Sequence, residues 1–117
     1  MNNTLTDAKF EFKGQIKFYR GKVRAVYDLR DDYIVMVVSD RISAFDHVMP
    51  RGIPFKGQIL NQIAIEMMKK TSEHVPNWFI HSPDPNVSVG HLCDPYKVEM
   101  VIRSYLAGHA FREYSKG

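Results

Sequence analysis

Seven residues, Asp40-Arg-Ile-Ser-Ala-Phe-Asp46, bring together two carboxylates, a guanidinium, a hydroxyl and an aromatic ring. They follow an apolar run, Tyr33-Ile-Val-Met-Val-Val38, that reads as a buried strand. A strand that ends in a dense polar loop is where α/β and α+β proteins usually place ligand chemistry. The plainer alternative is a strand terminus whose Ser and Asp cap the next turn. On the loop alone the two readings are evenly matched. Two further segments favour a site: Arg20-Gly-Lys-Val-Arg-Ala-Val-Tyr27 and Glu99-Met-Val-Ile-Arg-Ser-Tyr-Leu-Ala-Gly108.

In Gly21-Lys-Val-Arg24 two cations stand two residues apart, so on a strand they point to one face. The flanking glycine lets backbone come close to a ligand. That suits a polyphosphate lying across a hairpin. The motif is weak alone, because neither GxGxxG nor GxxxxGK[ST] is present. Its alternative is a solvated edge strand whose cations block aggregation. Arg103 falls inside an otherwise apolar, strand-like run. A buried arginine needs an anion: Glu99, an aspartate, or a phosphate that fits its planar fork. Gly108-His109 follows and can offer backbone N–H groups and an imidazole to the same anion. Lys56 can reach an anion at a helix start or stay solvated, and Gly57 allows a tight turn there. The five histidines (His47, His74, His81, His91, His109) form no HxH, HxxH or HExxH spacing, and Cys93 is the only cysteine. A structural zinc site is not expected, and Cys93 reads as a small apolar residue.

The elements that must position these groups are legible in outline. Residues 15–29 read as a hairpin with Arg20-Gly21 at its tip. Asp31-Asp32 turn into the 33–38 strand. Pro50, Gly52 and Pro54 punctuate a loop. From Gly57 to Thr71, Leu60, Ile63, Ala64, Met67 and Met68 recur at helical spacing, with Lys69 and Lys70 suiting the last turn. Residues 78–80 read as a short strand, 82–86 as a turn-rich loop, and 87–89 and 97–105 as two more strands. In the last, Val98, Met100 and Ile102 share one face; Glu99, Val101, Arg103 and Tyr105 share the other. Residues 1–13 form a polar lead-in whose Phe10 and Phe12 can dock. Residues 107–114 look like the opening of a helix. The expected class is α+β: an antiparallel sheet of about five or six strands with the 57–71 helix on one face.

The chain has 117 residues, one domain by default and large enough to bury a core. A net charge of +3 fits an anionic small molecule and is too weak to argue for nucleic acid. A lone cysteine allows no internal disulfide and points to a reducing cytoplasm. The first nine residues lack an apolar signal-peptide core, and no apolar run is long enough to span a bilayer.

With these residues in hand, the chain resembles the SAICAR synthetase family of purine biosynthesis. The resemblance rests on Arg20-Gly-Lys-Val-Arg-Ala-Val-Tyr-Asp28, Ser39-Asp-Arg-Ile-Ser-Ala-Phe-Asp46, Gly52-Ile-Pro-Phe-Lys-Gly57 and Val98-Glu-Met-Val-Ile-Arg-Ser-Tyr-Leu-Ala-Gly108. It runs along nearly the whole chain, but only over the N-terminal part of the family. It implies an ATP-grasp or kinase-like small lobe and an ATP-dependent ligase, working with Mg²⁺, that joins L-aspartate to carboxyaminoimidazole ribotide. It also implies roles. Lys22 and Arg24 bind ATP phosphates, Val26 packs on the adenine, and Gly90-His91-Leu92-Cys93 reads the adenine edge. Ser43 and Asp46 hold the aminoimidazole carboxylate region, Lys56 and Gly57 shape the floor, and Arg103, Gly108 and His109 bind the ribotide phosphate.

The family commonly has Gly-Ser where this chain has Gly108-His109. A histidine can replace the serine as donor, better when protonated. The resemblance places the acidic Mg²⁺ ligands in the missing C-terminal portion, so no metal ligand is expected in residues 1–117. The 117-residue piece is expected to be inactive alone and, with apolar surface exposed, to self-associate. The competing readings are a non-catalytic nucleotide-binding module and a basic RNA-binding domain. The kinase version of the former lacks a glycine-rich loop and an Ala-x-Lys strand. The aromatics are too scattered for the latter.

Overall fold

The computed structural model describes residues 4–117. Strands β1 (Gln15–Arg20), β2 (Arg24–Leu29), β3 (Tyr33–Val38), β6 (Phe79–Asp84) and β7 (Val87–His91) form one antiparallel sheet in the order β1-β2-β3-β7-β6. Between β3 and β6 lie a two-stranded hairpin, β4 (Ser43–Ala44) and β5 (His47–Val48), and helix α1 (Lys56–Thr71). A short helix, α2 (Gly108–Tyr114), follows β7 after a long extended stretch. Asp31 and Asp32 both take positive φ, 61° and 59°. Two successive left-handed residues give a turn whose twist matches that of the strands it joins, and aspartate tolerates that conformation.

Alternation along the central strands divides the sheet into two faces. Ala25, Tyr27, Val35 and Val37 are buried on one, with Leu29, Val87 and Val89 beside them. The cover on this face is the N-terminal segment, through Leu5, Ala8 and Phe12. Tyr27 fixes it: its hydroxyl donates to the Ala8 carbonyl and accepts the Phe10 N–H at 3.1 Å. Its ring also meets Phe12 edge-on, with centroids 4.9 Å apart. The segment expected to be a lead-in is therefore a layer of the core. Phe12 docks as expected, whereas Phe10 stays exposed.

Helix α1 covers the other face, where Met36, Val38 and Ser88 line a cavity with Leu60, Asn61, Ala64 and Met68. The buried positions of α1 are Gly57, Asn61 and Ile65. Asn61 is a polar residue in the interface, and it is satisfied there. It accepts the Ser88 hydroxyl at 2.7 Å and donates to the Pro85 carbonyl at 2.9 Å. Of the apolar residues expected to face the core, Ile63 and Met67 instead point to solvent, as does Ile59. Gly57 also differs from expectation. It lies inside the first helical turn, and a Cβ there would overlap the Val38 carbonyl oxygen. Its smallness permits close approach of helix to sheet, not a turn.

The strand expected over residues 97–105 does not form. Residues 92–107 pair with no strand, and Val98, Met100, Ile102 and Tyr105 are all exposed. Alternation gives a segment the preference for extension, but a ladder also needs a neighbour whose hydrogen-bonding edge is free and in reach. The 82–86 loop is shorter than expected, since β6 runs to Asp84 and the reversal is confined to Pro85-Asn86. The radius of gyration, 16.6 Å, exceeds the roughly 13–14 Å of a compact domain of this length because the C-terminal stretch leaves the body.

Tyr27→Phe removes the hydroxyl that holds Ala8 and Phe10 of the N-terminal layer while keeping the ring. It is expected to cost about 1–2 kcal/mol, read from the denaturant midpoint at unchanged slope. An unchanged midpoint would mean that the segment is not held through this hydroxyl.

Candidate functional site

The polar segment after β3 is built around a buried carboxylate. Asp40 accepts the Leu5 N–H and the Gly57 N–H, each at 2.8 Å, one on each oxygen. The residue preceding α1, Phe55, is left-handed and supplies no side-chain cap, so Asp40 serves as the cap from 17 positions upstream. The next residue, Arg41, is buried behind the tip of the β1–β2 hairpin. Burial first and the Arg20 charge second pull its pKa below the ordinary value, and Asp7 opposes them. Its carbonyl accepts Lys56 Nζ at 3.1 Å, so Lys56 is tied into the same cluster. The β4–β5 hairpin turns through Phe45 and Asp46, both at positive φ, with the Phe45 ring almost fully exposed. A bulky left-handed residue in open solvent is an uncommon arrangement, of the kind that collects at functional loops.

Beneath the β1–β2 hairpin lies an open cradle of about 260 Å³, lined by Tyr19, Gly21, Lys22, Val23, Arg24, Val26 and Met36. Lys22 sits in the tip rather than on a strand, and only Arg24 begins β2, yet both line this space. Arg24 makes no ion pair or side-chain hydrogen bond among the described residues. It also lines the second cavity, about 180 Å³, between the sheet and α1. Lys22 has a partner: its ammonium bonds Asp46 Oδ1 at 2.5 Å. That hydrogen bond, and then the charge behind it, hold the Asp46 carboxyl below its ordinary range. Ser43 stands at the base of the same hairpin, half-buried.

The remaining candidates divide. His91 ends β7 and stacks on Tyr33 with centroids 5.9 Å apart. Leu92 donates its N–H to the Asp32 carbonyl, and the Cys93 thiol faces the His91 carbonyl at 3.5 Å, exposed rather than buried as expected. These three extend from the sheet that carries Val26. Arg103, Gly108 and His109 do not join the cluster. Arg103 is exposed and has no ion pair among the described residues, contrary to the buried strand position expected for it. Gly108 is left-handed in open space, and His109 Nδ1 lies 4.0 Å from Glu113 within α2. No hydrogen bond or ion pair among the described residues ties 94–117 to the sheet or α1.

Sequence reasoning missed the backbone-binding roles of Asp40 and Arg41, the Asn61–Ser88 pair, and the packing of Trp78 over Gly90. For the last a signal exists, a glycine inside a strand, which often marks close approach. No group of three His, Cys, Asp or Glu that could hold a metal ion occurs among the described residues. Nor is any helix long and apolar enough to cross a membrane.

A family model described as SAICAR synthetase matches residues 17–117. The chain is 63% identical over 115 residues to the phosphoribosylaminoimidazole-succinocarboxamide synthase of Flavobacterium psychrophilum, covering 98% of this chain and 36% of that protein. It is 60% identical to the corresponding protein of Cytophaga hutchinsonii, over 98% of this chain and 37% of that one. Among solved structures, a SAICAR synthase superposes with a TM-score of 0.80 at 27% identity, over 93% of this chain and 44% of that chain. The SAICAR synthase of Saccharomyces cerevisiae complexed with SAICAR gives 0.75 at the same identity and coverage. The chain spans about a third of the length of the curated relatives it matches.

Lys22→Ala is expected to raise the Asp46 pKa toward the ordinary carboxylate value, followed by pH titration of the carboxyl carbon in NMR. Because the folded value is lowered, the pair's contribution is present above the unfolded pKa and is lost as pH falls through the folded one. No movement of the Asp46 titration would show that the contact does not persist in solution.

Proposed function

The chain belongs to the SAICAR synthetase family, and from that premise we propose that residues 1–117 are the nucleotide- and ribotide-binding N-terminal part of an ATP-dependent ligase. The reaction joins L-aspartate to the carboxylate of carboxyaminoimidazole ribotide, giving SAICAR, ADP and phosphate. A carboxylate is a poor electrophile at neutral pH. Transfer of the γ-phosphoryl group to a carboxylate oxygen makes an acyl phosphate. The aspartate amine then attacks the acyl carbon, phosphate leaves, and the amine proton is lost to solvent or base. What a protein contributes to such chemistry is positioning and neutralisation of moving negative charge.

The observation that carries this reading is the cradle beneath the hairpin. Among the described residues it presents Arg24 without a counter-ion and Lys22 held only by an exposed carboxylate, over an apolar floor of Val26 and Met36. In the proposed arrangement Lys22 and Arg24 take the ATP phosphates, Val26 packs on the adenine, and the backbone at His91, Leu92 and Cys93 reads its edge. Ser43 and Asp46 hold the aminoimidazole end, with Lys56 and Gly57 beneath. Arg103, Gly108 and His109 take the ribotide phosphate once segment 94–117 is brought to the site. Mg²⁺ would enter on the nucleotide phosphates, since these residues offer no acidic cluster for it. Such a ligase works in the cytoplasm, and residues 1–117 alone are expected not to turn over.

One observation favours a second reading, a bare nucleotide-binding module. The cradle is assembled within this chain, whereas the residues assigned to the ribotide phosphate lie apart from it.

Calorimetric titration separates the two. Mg·ATP is expected to bind, with Arg24→Ala weakening it about tenfold or more through the lost charged contact. Ribotide binding that disappears in Arg103→Ala places the ribotide phosphate on this chain. ATP binding with no ribotide binding favours the module, and absence of both removes the nucleotide assignment. The exposed apolar residues of 98–106 and the outward Ile59, Ile63 and Met67 support self-association. Light scattering is expected to show mass rising with concentration, and a monomer at every concentration would contradict it.

A further inference from the structure

Arg41 is the only buried basic side chain among the described residues, 6% exposed, and no carboxylate lies within ion-pair distance of it. All its recorded acceptors are backbone carbonyls. Nε donates to the Lys22 carbonyl at 3.1 Å, Nη2 to that of Gly21 at 2.9 Å, and Nη1 to that of Thr6 at 3.2 Å. Nη2 also approaches the Arg24 carbonyl at 3.5 Å. Two residues before it, Ser39 takes the Val23 carbonyl twice, with its N–H at 2.9 Å and its hydroxyl at 2.8 Å. The Arg24 carbonyl also accepts the Gly21 N–H at 2.8 Å. Every carbonyl of the tip, residues 21–24, is thus engaged by the segment after β3 or by the turn itself.

That pattern has a geometric consequence. In a trans peptide the C=O and the following N–H point in opposite directions. With the Gly21 and Lys22 carbonyls drawn to Arg41, the N–H groups of Lys22 and Val23 are directed away from it. Neither donates a hydrogen bond among the described residues. Successive amides turned outward in a tight turn form an anion-binding concavity. Lys22 and Val23 line the same cradle as Arg24. A buried guanidinium carries a desolvation cost that a purely structural contact has little reason to incur, since apolar packing serves as well. Its planar fork, however, offers five donors in fixed geometry and so can engage several carbonyls of one loop together.

We propose that Arg41 is a positioning residue. It touches no substrate, and it sets the peptide planes of the hairpin tip so that the Lys22 and Val23 amides and the Lys22 and Arg24 cations face one polyphosphate. This rests on the nucleotide reading of the cradle.

The test pairs Arg41→Ala with Arg41→Lys, which keeps the charge and loses the fork. Mg·ATP binding is followed by calorimetry, and the Lys22 and Val23 amides by ¹⁵N NMR. The expected result is a Kd raised about tenfold in Arg41→Ala, with altered shifts and faster exchange at residues 21–24, lesser changes beside Thr6, and the rest of the sheet spectrum retained. Guanidinium ion far below denaturing concentrations is expected to restore binding to Arg41→Ala, and sodium chloride at the same ionic strength is not. A merely structural role would not give that rescue. If Arg41→Ala does not fold, Arg41→Lys decides, with the same local amide changes and a several-fold weaker Kd. Either variant folded, with Kd within twofold of the parent and unmoved Lys22 and Val23 amides, overturns the proposal. If the parent chain binds no Mg·ATP, the nucleotide reading falls. The positioning role is then judged by the two amides alone, and it fails if they are unchanged.

Discussion

The buried carboxylate of Asp40 is the interaction on which the rest of the structure depends. It joins three pieces of chain that no strand ladder joins: the N-terminal segment, the end of β3 and the start of α1. Its main chain strengthens the same junction, donating to the Leu5 carbonyl at 2.8 Å and accepting the Ile53 N–H at 2.9 Å. A buried carboxylate without such partners would cost several kcal/mol, so both bonds to its oxygens must form for the position to be tolerated. The two layers on opposite faces of the sheet therefore share one anchor. Gly57 is part of the same constraint, because a side chain there would push α1 off the Val38 carbonyl and out of reach of Asp40.

How far the sequence predicts this arrangement depends on whether a signal is local. The hairpin read over 15–29, the apolar run 33–38, the strand read over 87–89 and the Asp31-Asp32 turn all appear, the last strand running on to His91, and the solved relatives share the antiparallel sheet with its helix. The helix is legible from spacing, but its buried side is not. Asn61 is buried because Ser88 and Pro85 satisfy it from elements some 25 residues away, which no periodicity reports. The N-terminal layer is hidden for the same reason, since its hold depends on the distant side chains of Tyr27, Asp40 and Arg41. The 97–105 segment fails oppositely: its local pattern is strong, and no partner meets it among the described residues. Arg103, expected inside that strand, is exposed and has no ion pair among the described residues.

The candidate site was legible as a set of residue types and only partly as a place. Lys22, Arg24, Ser43, Asp46, Lys56 and Gly57 are gathered by the segment after β3, within one hydrogen-bonded neighbourhood around the hairpin tip. Arg103, Gly108 and His109 carry equally suggestive chemistry and lie outside it. What separates the groups is the anchoring of their backbone. The first hangs from Asp40 and Arg41, side chains whose work is to bind main chain. The second sits on a stretch with no comparable tie to the sheet.

The Lys22–Asp46 contact carries a consequence for selectivity among anions. A cation whose carboxylate partner belongs to the same chain behaves as an ion exchanger already loaded with a counter-ion. An incoming monoanion merely trades places with Asp46 and gains little, because one exposed carboxylate contact replaces another. An anion with several charges that reached Arg24 as well would make the exchange run downhill. For any anion that enters there, charge number, rather than shape alone, would be a criterion.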